Sequence, residues 1–148
     1  MHLEGNVTIN APLQTVWEFL TDPHKVSQCA PGLESLEIVV PDEKFRVVAG
    51  IGLGSVKVTF TTDVEWLEIE EPSRAKMKAH GTAPGSSVDA TSEMMMAENA
   101  DGGTDLDWTA EVVVVGKIAS LASRLMGGVT KKLSGEFFNC VKSQIEEN

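Results

Sequence analysis

From Leu33 to Gly116 apolar side chains recur at nearly every second position, and from Ile118 to Ile145 they recur every third or fourth. A period of two is the signature of strands with one dry face, and a period near 3.6 that of an amphipathic helix. A chain with this switch must bury a long run of antiparallel strands against one terminal helix, because no other element is long enough to cover the sheet.

The opening residues complete the order. Leu3, Gly5, Val7 and Ile9 alternate with polar neighbours and predict a first strand. Asn10-Ala11-Pro12 breaks it, and Pro12 suits the first turn of a helix. Leu13, Val16, Trp17 and Leu20 then share one helical face. Asp22-Pro23 starts a second short helix holding Val26 and Cys29, and Ala30-Pro31-Gly32 stops it. Strands follow over Leu33–Val40, Phe45–Ile51, Ser55–Ile69, Ala75–Ala79, Val88–Met96 and Leu106–Val114. The last segment predicts a helix of about seven turns, with Ile118, Leu121, Leu125, Val129, Leu133, Phe137, Val141 and Ile145 on its stripe. The fold class is therefore α+β: a curved six- to seven-stranded antiparallel sheet around a long C-terminal helix, one domain over residues 1–148. At 42% hydrophobic and 23% charged residues the composition is that of an ordinary globular domain.

A curved sheet gripping a helix leaves a gap wherever the facing side chains are small or flexible. The inward phase supplies Ala75, Met77, Ala79, Ala90, Ser92, Met94, Met96 and Ala110, and few large residues. The whole chain holds five Phe, three Trp and no Tyr. Methionine is unbranched and polarisable and suits an adaptable apolar wall. Two readings stand side by side, a filled core with Met as packing and a cavity for an apolar ligand. Phe60, Trp66, Met77, Met94, Met96 and Trp108 from the strands, with Leu121, Leu125, Val129 and Phe137 from the helix, are the candidate cavity residues.

No catalytic residue is assigned. A cyclase or hydrolase needs an acid or base inside the cavity, and the inward phase offers only Thr62 and Ser92. Asp63, Glu65, His80, Asp89, Glu93, Asp107 and Glu111 fall on the outward phase. Cys29 and Cys140 lie far apart with no C-x-x-C pair, and His2, His24 and His80 are scattered, so no metal site is expected. Both thiols are expected reduced, in a soluble cytoplasmic protein: no secretory signal opens the chain, and its longest aliphatic run, Val112–Val115, is too short to span a bilayer.

The formal net charge of −10 is unevenly spread. Between positions 117 and 142 stand Lys117, Arg124, Lys131, Lys132 and Lys142 against Glu136 alone, leaving seven basic and 21 acidic residues elsewhere. Nucleic acid is excluded as a partner by the overall acidity. Lys117, Arg124 and Lys131, seven apart, form one stripe suited to an acidic partner or an anionic membrane surface, or else simply solvated. Gly127, Gly128 and Gly135 interrupt the same helix, either to let it approach the sheet closely or to let it bend.

Val7-x-Ile9-x-Ala11-Pro12, Val16-Trp17-x-Phe19-Leu20-x-Asp22-Pro23 and Val26-x-x-Cys29-x-Pro31-Gly32 resemble the opening of the CoxG family of carbon monoxide dehydrogenase subunits. The stretch Gly116-Lys117-Ile118-Ala119-Ser120-Leu121-Ala122-Ser123-Arg124-Leu125-Met126, with Lys132-Leu133 and Phe137-Phe138, resembles its close. The resemblance runs the whole chain and implies a START-like, polyketide-cyclase-like helix-grip fold. It implies a non-enzymatic accessory protein of molybdenum hydroxylases, mainly carbon monoxide dehydrogenase, holding a hydrophobic ligand such as an isoprenoid quinone or another lipid. It further implies a link between that enzyme and the membrane, with peripheral contact at the inner face of the cytoplasmic membrane. A ligand-free module that recruits the dehydrogenase and a small cyclase-type enzyme are the alternatives.

Overall fold

The computed structural model describes residues 1–146. Its seven strands are β1 (His2–Ile9), β2 (Leu33–Val40), β3 (Lys44–Leu53), β4 (Val56–Glu70), β5 (Arg74–Ala83), β6 (Ser86–Glu98) and β7 (Thr104–Gly116). They form one antiparallel sheet in the order β1-β7-β6-β5-β4-β3-β2. Helices α1 (Leu13–Thr21) and α2 (Pro23–Val26) and a 3₁₀ turn (Ser27–Cys29) lie between β1 and β2, and α3 (Ala119–Ile145) ends the chain. The element order is the one the periodicity predicts, because alternation and helical spacing both report which face is dry.

The 27 residues of α3 extend roughly 40 Å at 1.5 Å per residue. Its C-terminal half is anchored. Val141 is fully buried with Ile9, Val16, Trp17, Met96 and Leu106, so α1 and the start of β7 close-pack around that end. Asp22 caps α2, its carboxylate accepting from the backbone N–H of His24 at 2.9 Å, which explains why Asp22-Pro23 restarts a helix after α1. Thr104, also fully buried, donates from Oγ1 to the carbonyl of Ala11 at 2.9 Å. No helix is long and apolar enough to cross a membrane among the described residues.

Three sequence expectations change. Cys29 and Cys140 are not two free thiols but a disulfide, with Cα atoms 5.4 Å apart. It ties the 3₁₀ turn to α3 and closes a loop of 111 residues, a constraint on the unfolded chain that loop-closure entropy places at about 4–5 kcal/mol. Spacing alone held no sign of it, since tertiary packing brings the two together. Lys117 precedes α3 rather than standing on it. Its backbone N–H donates to the carbonyl of Gly85 at 3.0 Å, and its side chain folds over that glycine. Gly127, Gly128 and Gly135 touch nothing: a Cβ at any of them has open space within 4 Å, so close sheet contact does not require them.

The outer face of the sheet carries the charge. Arg46 and Asp63 pair at 2.7 Å across β3 and β4, which holds the Asp63 carboxyl below its ordinary range. Arg74 gathers Glu70 at 2.7 Å, Glu68 at 3.1 Å and Glu93. Between Trp66 and Glu68 the register shifts by a bulge. The extra residue keeps Glu68 outside with Arg74 and sets Ile69 opposite inward-facing Ala75, a flip that uninterrupted alternation would forbid.

Two glycine substitutions should move stability in opposite directions. Gly128→Ala should raise it by about 0.5–1 kcal/mol, as alanine in an unobstructed helix interior does. Gly32→Ala should lower it by about 1–3 kcal/mol or more, since Gly32 has φ +73° and an added Cβ would fall 2.1 Å from the Gly50 carbonyl oxygen. Urea denaturation reads both. His2, bonded by Glu111 and by Glu4 at 2.8 Å, has its imidazole pKa raised chiefly by the Glu111 hydrogen bond. Its contribution is therefore present below the ordinary value of 6.5 and is lost as pH rises through the higher folded value. An NMR titration should show that upward displacement, and Glu111→Gln should remove most of it.

Candidate functional site

Small and flexible inward side chains of the sheet leave space beneath α3, beside its anchored end as well as beyond it. Two apolar chambers lie there. The outer one has a volume of about 290 Å³ and the inner one about 370 Å³, near the lower end of the ~300–1,000 Å³ common for ligand sites. Leu133 of α3 borders both.

The outer chamber rests on Ala49 and Ile51 of β3, Phe60 and Thr62 of β4, Ala79 and Gly81 of β5, and Val112 and Val114 of β7. Ala122, Met126 and Val129 of α3 roof it. The inner chamber is walled by Trp66, Met77, Met94 and Trp108 from the sheet and by Phe137 and Phe138 from α3. Val26, Ala30 and Pro31 close its far side, so the helix stop at Ala30-Pro31-Gly32 also shapes the cavity.

The structure thus brings together seven of the ten candidate residues: Phe60 and Val129 in the outer chamber, Trp66, Met77, Met94, Trp108 and Phe137 in the inner. Met96, Leu121 and Leu125 line neither. Met96 is 4% exposed and packs in the core with Val16 and Leu106, because α1 covers that end of β6. The cavity-facing stripe of α3 instead runs through Ala122 and Met126, one position on from Leu121 and Leu125. Leu125 Cδ1 turns to the β3–β4 turn, 3.3 Å from where a Cβ on Gly54 would stand. The register of a helix against its sheet depends on side-chain volumes across the gap, and apolar spacing alone favoured the larger leucines. Gly81, Met126 and Phe138 were missed; Met126 and Phe138 stand next to stripe positions, and Gly81 carries no apolar signal.

Electrostatically the cavity is bare. Neither chamber has an ionisable side chain in its described walls. Thr62 and Thr130 serve the outer chamber and Ser92 and Ser134 the inner. Ser92 donates to the Thr109 carbonyl at 3.1 Å and Ser134 to the Lys131 carbonyl at 3.3 Å, so both hydroxyls already bond the backbone. His80 lies outside, 2.6 Å from Asp89. Such walls suit an apolar molecule, and among the described residues they hold no ionisable group with which to move a proton. No group of three or more His, Cys, Asp or Glu fit to hold a metal occurs among the described residues.

Arg124 and Lys131 are exposed on α3 and Lys117 is exposed before it. Among the described residues none of the three forms an ion pair, whereas Lys44, Arg46, Arg74 and Lys76 on the sheet all do.

The fold is shared widely. A conserved protein from Geobacillus kaustophilus is 28% identical, with 99% of this chain and 95% of that one covered and a TM-score of 0.91. The Zhui aromatase/cyclase from Streptomyces sp. R1128 is 21% identical over 99% and 93% of the two chains, with a TM-score of 0.75. A START superfamily protein from Mycobacterium smegmatis is 13% identical over 98% and 97%, with a TM-score of 0.68. These likenesses establish the helix-grip fold. No curated protein matches the sequence. The sequence profile of the carbon monoxide dehydrogenase subunit CoxG matches residues 5–146, and the chain belongs to the CoxG family.

Proposed function

We propose that this protein is a non-enzymatic accessory protein of a molybdenum hydroxylase of the carbon monoxide dehydrogenase type. It holds a hydrophobic ligand, an isoprenoid quinone or another lipid, in the chambers between the sheet and α3, and links the enzyme to the respiratory quinone pool at the membrane. The observation that carries this reading is the pair of adjoining chambers whose described walls have no ionisable group. Family membership supports the enzyme partner. At ~0.8 kcal/mol per buried CH₂, an isoprenoid or acyl tail gains useful affinity from such walls alone. Lys117, Arg124 and Lys131 supply the contact face, at ~1 kcal/mol for each basic residue brought to an anionic membrane.

The cyclase reading has the Streptomyces neighbour behind it, but likeness at that identity reaches only the fold, and an acid–base pair in the chamber walls would be needed to favour it. Solvent extraction and mass spectrometry of the purified protein should recover a long-chain quinone or other lipid near one per chain; a clean extract would overturn the carrier role and leave a ligand-free recruiting module. Met94→Glu, which places a charge in the inner chamber, should cut retention at least about tenfold with an unchanged circular dichroism spectrum. Val129→Glu tests the outer chamber from α3 should the first variant fail to fold.

A further inference from the structure

A third space, about 630 Å³, runs between the free edge of β1 and the flank of α3. Among the described residues β1 pairs with β7 alone. Met1 and Val112 exchange both backbone bonds at 2.8 Å, so Leu3, Gly5 and Val7 also bond β7, and His2, Glu4 and Asn6 turn their backbone N–H and C=O groups to the free edge. The opposite wall is Lys131, Asn139 and Lys142 of α3, held wide by Gly127 and Gly135. This cleft is polar where the chambers are dry, yet it adjoins them: Trp108, Ser134 and Phe138 line both the cleft and the inner chamber.

Trp108 sits at the junction. Its indole lies across Gly5, where a Cβ would come within 2.7 Å of Nε1, so a missing side chain on β1 makes room for the ring. The indole N–H has no hydrogen-bond partner among the described residues, and no buried side-chain donor in the described structure lacks a partner. That N–H is therefore not sealed in the core, and it lies beside Gly5 on β1 where the cleft and the inner chamber meet. Lys131 and Lys142 stand on the rim with no ion pair among the described residues, three helical turns apart on one face.

We propose that the β1–α3 cleft is the entrance to the inner chamber and the seat of the ligand's polar head. The ligand is an amphiphile whose tail passes Trp108 and Phe138 into the chamber. Its head carries an acceptor oxygen, a quinone carbonyl or an acyl carboxylate, taken by the Trp108 N–H within the positive field of Lys131 and Lys142. This rests on the reading of the chambers as the ligand site.

Three probes test it by fluorescence titration of the full chain at low ionic strength: cis-parinaric acid with an anionic head, decylubiquinone with a neutral carbonyl head, and diphenylhexatriene with none. Trp108→Phe keeps an aromatic side chain but removes the donor, and should weaken both headed probes about fivefold more than it weakens diphenylhexatriene. Lys131→Glu with Lys142→Glu should weaken parinaric acid about tenfold and spare the quinone, which separates the two head chemistries. Lys131 is exposed and Lys142 half-buried, and an unchanged circular dichroism spectrum checks that the double variant folds. If the headed probes keep their affinity in both variants, or diphenylhexatriene weakens as much as they do, the head does not sit in the cleft and the chamber reading survives. If none of the three binds the unaltered protein, both readings fall.

Discussion

The anchorage of α3 at one end is the constraint on which the rest of the molecule depends. Val141, Ile9, Val16 and Leu106 are buried to within a few per cent of completeness, and the Cys29–Cys140 disulfide joins the same end of the helix to the turn after α2. A helix clamped there has its direction set for all its length. Its N-terminal half projects over the alanines and glycines of the outer chamber, while the inner chamber lies beside the anchored half, between Met77 and Met94 of the sheet and Phe137 of the helix. Neither space leaves a buried side-chain polar group unpaired among the described residues.

Alternation then separates two chemistries by the thickness of one sheet. Carboxylates and guanidinium groups on the outer face of β3 to β6 satisfy each other in cross-strand pairs, as Arg46 does with Asp63 and Arg74 with Glu93. The inner face is left to apolar groups and hydroxyls. One bulge at Leu67 preserves this separation where the strand would otherwise turn Glu68 inward. Polar groups meet the cavity at its β1 flank, where the sheet ends and α3 presents Lys131, Asn139 and Lys142. A molecule that is apolar along most of its length and polar at one end matches that distribution.

Much of this was legible in the residues. Val56 to Trp66 spelled out a strand with a dry face, and Thr62 and Ser92 were the hydroxyls that this face offered to a cavity. Five cavity residues followed from strand alternation, Phe60, Trp66, Met77, Met94 and Trp108, and two from the helical spacing of α3, Val129 and Phe137. The failures share a cause. Met96 has the same alternation as Met94, but α1 happens to cover its end of β6. Leu121 and Leu125 have the spacing of the helix stripe, but the contact is made one position further on, by Ala122 and Met126. Val56 continues the inward phase and yet is 47% exposed, where its cross-strand partner Leu53 is buried. For Met96, Leu121 and Leu125 the local pattern is correct and the partner that decides its use is distant in sequence.

The order of elements, the dry and wet faces of the strands apart from the end of β4 beyond the Leu67 bulge, the family resemblance and the excess of positive charge toward the C-terminus are all written in spacing or in residue type along a contiguous stretch. Folding was needed to show that Cys29 meets Cys140, that α3 turns Met126 rather than Leu125 to the cavity, and that β1 leaves a polar cleft beside an apolar chamber. Those outcomes depend on how volumes fit across elements that a hundred residues separate, and no local period carries that information.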